Sequence, residues 1–166
     1  MEIKQSLLDY IGEALKTVEE SVSVAESVTA GYLQFSFSQM KEASTFFKGG
    51  ITAYTLEEKV KLLRVNKEEA ESCDCVSPQI AEEMAVHVAD LFNTDWGISV
   101  TGYASPVEES DQKIFAYFSF AYKSEVILSK KLELHSKTNA TTAQKYYSEF
   151  ILGCFKCELN QMIILK

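Results

Sequence analysis

Arginine is nearly missing from this chain. Of 16 basic residues only Arg64 is an arginine, and 24 acidic residues leave a net charge of −8. Non-specific binding to nucleic acid depends on neutralising phosphates, so this balance argues against a nucleic-acid partner. Any anion site must use lysines, backbone amides or helix N-termini, because a lysine offers a point charge where arginine offers a bidentate fork. Proline is equally scarce, at Pro78 and Pro106 alone, and no linker, low-complexity tract or internal repeat interrupts the chain. A single domain over residues 1–166 is expected. No apolar run approaches the roughly 20 residues of a membrane-spanning helix, so no membrane partner is expected. Met1-Glu2-Ile3-Lys4-Gln5-Ser6 leads straight into an amphipathic pattern without a signal-peptide core, which points to a cytoplasmic location. The four cysteines, Cys73, Cys75, Cys154 and Cys157, have the wrong spacing for the common zinc modules. They read as free thiols of a reducing compartment, with no metal and no cofactor expected.

What is present is an apolar fraction of 46%, enough for a real core. Ile3, Leu7, Leu8, Ile11, Ala14, Leu15 and Val18 share one face of a helix over 3–18. Residues 21–25 alternate as a first strand. Glu26 to Gly31 turns the chain into a second helix, expected to reach about Met40. Gly49-Gly50 opens a second strand, Ile51 to Tyr54. Thr55 and Glu58 form a capping box for a helix to about Arg64. Asn66 caps a short helix through Ser72. Ser77-Pro78 starts a helix to about Phe92. Trp96 to Thr101 is a buried strand, and a polar loop over 103–112 follows. Residues 113–122 and 125–134 form an antiparallel hairpin turning at Lys123-Ser124, its first strand apolar on both faces and expected to be covered on both. A last helix spans about Asn139 to Glu158. The apolar tail Met162-Ile163-Ile164-Leu165 reads as a sixth strand or as cover for an edge or a neighbouring subunit. This alternation predicts an α/β fold, a three-layer α/β/α sandwich with a mostly parallel, mixed central sheet. The aromatic hairpin and the tail together suggest a homo-oligomer, a dimer by symmetry base rates.

Chemistry gathers where strands hand over to helices. Ser27 and Thr29 follow the first strand, at a helix start whose amides suit a phosphate or an oxyanion. A plain N-cap role explains the same residues as well. Tyr54 and Lys59 follow the second strand. A lysine made less basic by burial serves as general base to a serine, and a tyrosine hydroxyl can relay the proton; a solvated helix lysine is the plainer alternative. Thr101-Gly102 ends the third strand on the same edge, where ligands of open α/β sheets bind. His87, His135 and the acidic stretch Glu108, Glu109 and Asp111 read as structural or solvated.

Taken in order, these stretches resemble the C-terminal domain of the CinA family, which also occurs alone as nicotinamide-nucleotide amidase. Ala25-Glu26-Ser27-Val28-Thr29-Ala30-Gly31 is similar to the family's A-E-S-C-T-G-G. Phe47 to Tyr54 with Lys59, Leu62-Leu63 and Val65 is similar to F-x-G-G-x-x-x-Y-S-N-x-x-K-x-x-L-L-x-V. Val76-Ser77 with Ala81, Met84 and Ala85 is similar to V-S-x-x-x-A-x-x-M-A, and Val100 to Pro106 to V-T-G-I-A-G-P. The resemblance covers about residues 5–155. It implies hydrolysis of the carboxamide of nicotinamide mononucleotide to nicotinic acid mononucleotide and ammonia. Ser27 then matches the nucleophile, Lys59 the base and Tyr54 the supporting hydroxyl. Thr29, Ala30, Gly31, Gly50, Thr101 and Gly102 match substrate-binding positions.

The chain also departs from the pattern. Val28 replaces the family's cysteine and Ala30 its first following glycine, where a methyl crowds close approach. The glycine-rich stretch after V-T-G-I-A-G-P is replaced by 107–115, with no glycine and three acids. The late G-D-R-x-x-V-R segment is replaced by 136–142, without either arginine. Both changes oppose a phosphorylated small-molecule substrate. Three readings follow: an amidase on nicotinamide mononucleotide, an amidase on another amide, and a catalytically silent homologue that binds a ligand or partner.

Overall fold

The computed structural model describes residues 3–165. Its elements are α1 (Gln5–Val18), β1 (Val22–Glu26), α2 (Tyr32–Ser38), β2 (Phe47–Thr52), α3 (Leu56–Leu63), α4 (Lys67–Ser72), α5 (Pro78–Phe92), β3 (Trp96–Gly102), β4 (Ile114–Tyr122), β5 (Glu125–Leu134) and α6 (Ala140–Leu165). The five strands form one sheet in the order β2-β1-β3-β4-β5. β1 pairs parallel with β2 and β3, and β4 runs antiparallel to both its neighbours. Four strands therefore point one way and β4 alone opposes them.

The period-two pattern of β1 sorts its side chains between two cores. Val22 and Val24 face α1, α2 and α6, in a cluster with Ile11, Leu15, Phe37, Trp96 and Phe155. Ala25 faces α3, α4 and α5, with Leu63, Ile80, Met84 and Val88. Small residues let α5 lie directly on the sheet. Ser23 Oγ donates to the Val88 carbonyl at 3.0 Å, Ser99 Oγ donates to the Ala81 carbonyl, and a Cβ added at Gly97 would fall 1.9 Å from the Ala85 carbonyl oxygen. Helices thus cover both faces, the three-layer arrangement expected.

Three differences from the sequence reading have local causes. β2 starts at Phe47, not Ile51, and carries Gly49-Gly50 inside it. A parallel ladder needs only backbone there, and a Cβ at Gly49 would meet the Phe92 ring at 2.6 Å. α6 runs through the apolar tail, so no sixth strand forms. Phe155, Leu159 and Met162 continue one helical stripe against the α1 side of the core, and Tyr10 of α1 hydrogen-bonds Asn160. α2 ends at Ser38, one turn's fraction short of Met40. The hairpin turn is tight, with Lys123 and Ser124 at φ 49° and 67°, the geometry that matches strand twist. β4 is mostly buried on both faces, whereas β5 is an edge strand left largely exposed.

Candidate active site

β1, β2 and β3 end side by side, and the chain leaves each toward a common cavity of about 550 Å³. Ser27 follows β1 directly. Its amide donates to the Val100 carbonyl of β3 at 3.1 Å, which anchors the turn to the sheet. After β2, Thr55 caps α3 by accepting the Glu58 amide at 3.4 Å. That cap sets the helical phase, and Lys59, one turn on, points inward rather than to solvent. Lys59 Nζ lies 2.9 Å from Ser27 Oγ and donates to the Tyr54 carbonyl at 3.4 Å. Lys59 is only 2% exposed and Ser27 7%.

The electrostatics make the amine less basic than a solvated lysine. Among the described residues no carboxylate lies within ion-pair distance of Lys59. Burial pushes its ammonium below the ordinary lysine range; Cys75 and Asp74 push weakly the other way. Nζ donates to Ser27 Oγ and to the Tyr54 carbonyl; once deprotonated, it is placed to take the Ser27 hydroxyl proton through its lone pair. Tyr54 itself reaches the pair through its backbone. Tyr54 lines the cavity and is 67% exposed, and among the described residues its hydroxyl makes no hydrogen bond to Ser27 or Lys59.

The helix start after Ser27 is not open to an anion, because the chain fills it with its own. The buried Glu26 carboxylate accepts the Gly31 amide at 3.1 Å, the Leu33 amide at 3.0 Å, the Gln34 amide at 2.7 Å and the Thr29 hydroxyl at 2.5 Å. Thr29 and Gly31 therefore serve the turn. Ala30, at φ 50°, donates its amide to the Ser27 carbonyl at 3.0 Å. Gly50 lies in β2, where a Cβ would strike the Gln34 side chain at 2.5 Å and the Val24 carbonyl at 2.8 Å. None of these four lines the cavity. The amides of Val28 and Thr29 make no hydrogen bond among the described residues, and Val28 is in the cavity wall. Of the two, only Val28 lines the cavity, so its amide is the donor left for an oxyanion.

Thr101 and Gly102 do line the cavity, but the Thr101 hydroxyl donates to the Cys75 carbonyl at 2.8 Å and so holds the wall in place. Sequence reasoning missed the remaining wall. Asp74 and Cys75 hold consecutive left-handed conformations, φ 51° and 60°, which put both into the cavity. Tyr103 donates its hydroxyl to Asp74 at 3.0 Å; burial and that carboxylate raise its pKa. Gln144, at the start of α6, donates to the Val28 carbonyl at 2.9 Å. Aspartate after a short helix was a usable turn signal for Asp74; nothing local announced Gln144. His87 bonds the Leu63 carbonyl and His135 the Lys137 amide, both outside the cavity. Among the described residues no cluster of His, Cys, Asp and Glu is placed to hold a metal ion, and no helix is long and apolar enough to cross a membrane.

Residues 4–150 match the model of the CinA C-terminal domain family. A CinA-like protein of Nostoc punctiforme is 39% identical over 108 residues, 65% of this chain and 26% of that protein. One of Rippkaea orientalis is 41% identical over 109 residues, 66% and 26% of the two. The chain thus spans about a quarter of the length of these curated relatives. Among solved structures, a CinA superfamily protein of Klebsiella pneumoniae superposes with TM-score 0.86 at 19% identity, over 94% of this chain and 97% of the other. The competence/damage inducible protein CihA of Agrobacterium tumefaciens gives 0.86 at 22%, over 94% of each. Such identities speak for the fold alone, whereas the family model spans the ordered stretches on which the cavity is built, and by that match the chain belongs to the CinA C-terminal domain family.

Proposed function

We propose that this protein is an amidohydrolase that cleaves a linear carboxamide through a Ser27–Lys59 pair. The observation that carries this reading is the 2.9 Å contact between Ser27 Oγ and a lysine amine that is 2% exposed and, among the described residues, unpaired with any carboxylate. A solvated lysine has no reason to be there, since burying an ammonium costs several kcal/mol. A neutral amine beside a serine is the arrangement that nucleophilic catalysis needs.

The chemistry follows from the positions. Ser27 Oγ attacks the amide carbon as Lys59 Nζ takes its proton. The carbonyl oxygen becomes an oxyanion, which the Val28 amide stabilises. The Lys59 ammonium returns a proton to the amide nitrogen, the C–N bond breaks and ammonia leaves. A water molecule, deprotonated by Lys59, then attacks the Ser27 ester; the carboxylate product departs and Ser27 regains its proton. Family membership makes nicotinamide mononucleotide the first substrate to test, with nicotinic acid mononucleotide as product.

The second reading is a catalytically silent homologue that binds a ligand or partner. The acidic wall favours it, because Asp74 and Glu109 face the cavity and no arginine does. Ammonia release from nicotinamide mononucleotide and a panel of other amides, with Ser27→Ala alongside, separates the readings. Turnover that disappears in the variant supports the amidase. No ammonia from any amide sinks it.

A further inference from the structure

Six of the seven glycines either hold a positive φ or would carry a Cβ into a packed neighbour. Gly153 is the exception. It lies in the middle of the 26-residue α6, and a Cβ built on it would meet nothing within 4 Å. Glycine is a poor helix former, so here it weakens the helix and serves no packing inside the chain. The missing side chain leaves a notch in the outer face of α6. The face around the notch is apolar. Tyr146, Phe150 and Ile164 are exposed and stand at helical spacing on the same side as Gly153. With Ile163 and with Tyr10 of the adjoining α1, they are five of the ten large apolar side chains that the described residues expose. Charge is placed evenly about the same point. Glu149 and Lys156 lie on either side of Gly153, two turns apart, and so share one edge of the face. That edge is the one toward α1, where Lys156 Nζ lies over the Tyr10 ring at 4.6 Å from its centre. Among the described residues neither Glu149 nor Lys156 joins an ion pair.

We propose that this face of α6 binds a second copy of the chain, the two helices crossing antiparallel with Gly153 against Gly153. A two-fold axis through the notch, perpendicular to α6 and in the plane of contact, sets each residue beside the one equally far beyond Gly153 in the other copy. It also keeps the α1 edge of one helix against the α1 edge of the other. Glu149 of each copy then meets Lys156 of the other, and the pair forms twice. The self-complementary charge is what selects a second copy over an unrelated partner. Glycine at the crossing lets the backbones approach closely, since the side chains at the contact set the distance between packed helices. Tyr146 and Phe150 close over the sides of the crossing and lose their exposure. The edge strand β5 is the other exposed apolar strip, but Lys130 and Lys131 guard it against strand pairing. The proposal makes no use of the Ser27–Lys59 pair and holds whether or not the protein is an amidase.

Sedimentation velocity of the full chain, over a series of concentrations, gives the dimer's dissociation constant. Wild type should form a dimer whose dissociation constant rises with salt. Gly153→Gln puts a side chain into the crossing without touching its own subunit, and glutamine favours the helix more than glycine does. That variant should keep its far-ultraviolet circular dichroism and run as a monomer. Glu149→Lys and Lys156→Glu should each weaken the dimer about tenfold or more, because each change spoils two pairs at once. The double variant restores both pairs with their signs exchanged and should return to within about threefold of wild type. A wild-type chain that is monomeric up to about 100 µM overturns the proposal. A dimer that survives Gly153→Gln places the contact on another surface, and also overturns it. Charge reversals whose losses multiply in the double variant overturn the antiparallel pairing of Glu149 with Lys156.

Discussion

Replacing Lys59 by methionine keeps most of the side-chain volume and removes the amine. Lys59 is 2% exposed, and its amine has two hydrogen-bond partners, Ser27 Oγ at 2.9 Å and the Tyr54 carbonyl at 3.4 Å. Losing them costs about 1 kcal/mol each, at every pH. The ionisation term behaves differently. In the unfolded chain Lys59 titrates at the ordinary lysine value of 10.5, and in the folded protein burial lowers it. Between the lowered value and 10.5 the unfolded state therefore binds one more proton than the folded state, and stability rises with pH. One pH unit in that window is worth about 1.4 kcal/mol. Below the folded value both states carry the proton and the term is flat. Wild type should thus gain about 1.4 kcal/mol per pH unit relative to Lys59→Met within the window. The slope, not the offset, isolates ionisation from packing. Urea unfolding of both proteins at half-unit steps from pH 6 to 10.5 measures it. Parallel stability curves over that whole range would refute the buried, less basic lysine, and with it the general base.

The same group predicts that kcat/KM rises with pH along a limb centred below 10.5, because only the neutral amine takes the serine proton; a flat profile through the neutral and alkaline range would contradict it. Ser27→Ala and Lys59→Met should each lower turnover by about 10²-fold or more, and the double variant should be no worse than the worse single one. Multiplicative losses would mean that the two act independently. Glu26→Ala strands three backbone amides and the Thr29 hydroxyl, at a cost of about 3 kcal/mol or more. Its Tm should fall by roughly 6–12 °C, and calorimetry showing a shift below about 2 °C would remove the capping account. Gly97→Ala places a methyl 1.9 Å from the Ala85 carbonyl oxygen and should cost about 2 kcal/mol or more; a wild-type urea midpoint would mean that α5 is not seated on β3 as described.

Element types were legible because period and punctuation agree along most of the chain. Ser77-Pro78, Thr55 with Glu58 and Asn66 all cap the helices they announce. The tail misled because four successive apolar residues carry no period of their own. Only the stripe begun at Phe155 shows that they extend a helix. Gly49-Gly50 misled in another way. Glycine usually marks a strand's boundary, whereas here it marks close packing against Phe92 and Gln34 inside the strand. At the site, Ser27 and Lys59 were readable because each lies within a few residues of a strand end. The anion-site reading of the amides after Ser27 overlooked Glu26, whose carboxylate comes from the strand itself. A side chain that folds back onto its own turn leaves no periodic mark. Asp74, Tyr103 and Gln144 reach the cavity from two loops and the last helix, and spacing in the chain does not encode that convergence.

The bond from Gln144 to the Val28 carbonyl has a consequence for how the molecule is made. Spatial strand order follows chain order outward from β1 through β3, β4 and β5, so the sheet can extend strand by strand as residues leave the ribosome. Ser27 and Lys59 are both available early, carried by the segments around β1 and β2. The wall behind the nucleophile's turn, with Ala140 and Gln144, belongs to α6, which follows all five strands in the chain. A nascent chain halted before residue 140 holds the reactive pair but not the enclosure around it. The cavity is therefore enclosed only after every strand of the sheet has been made.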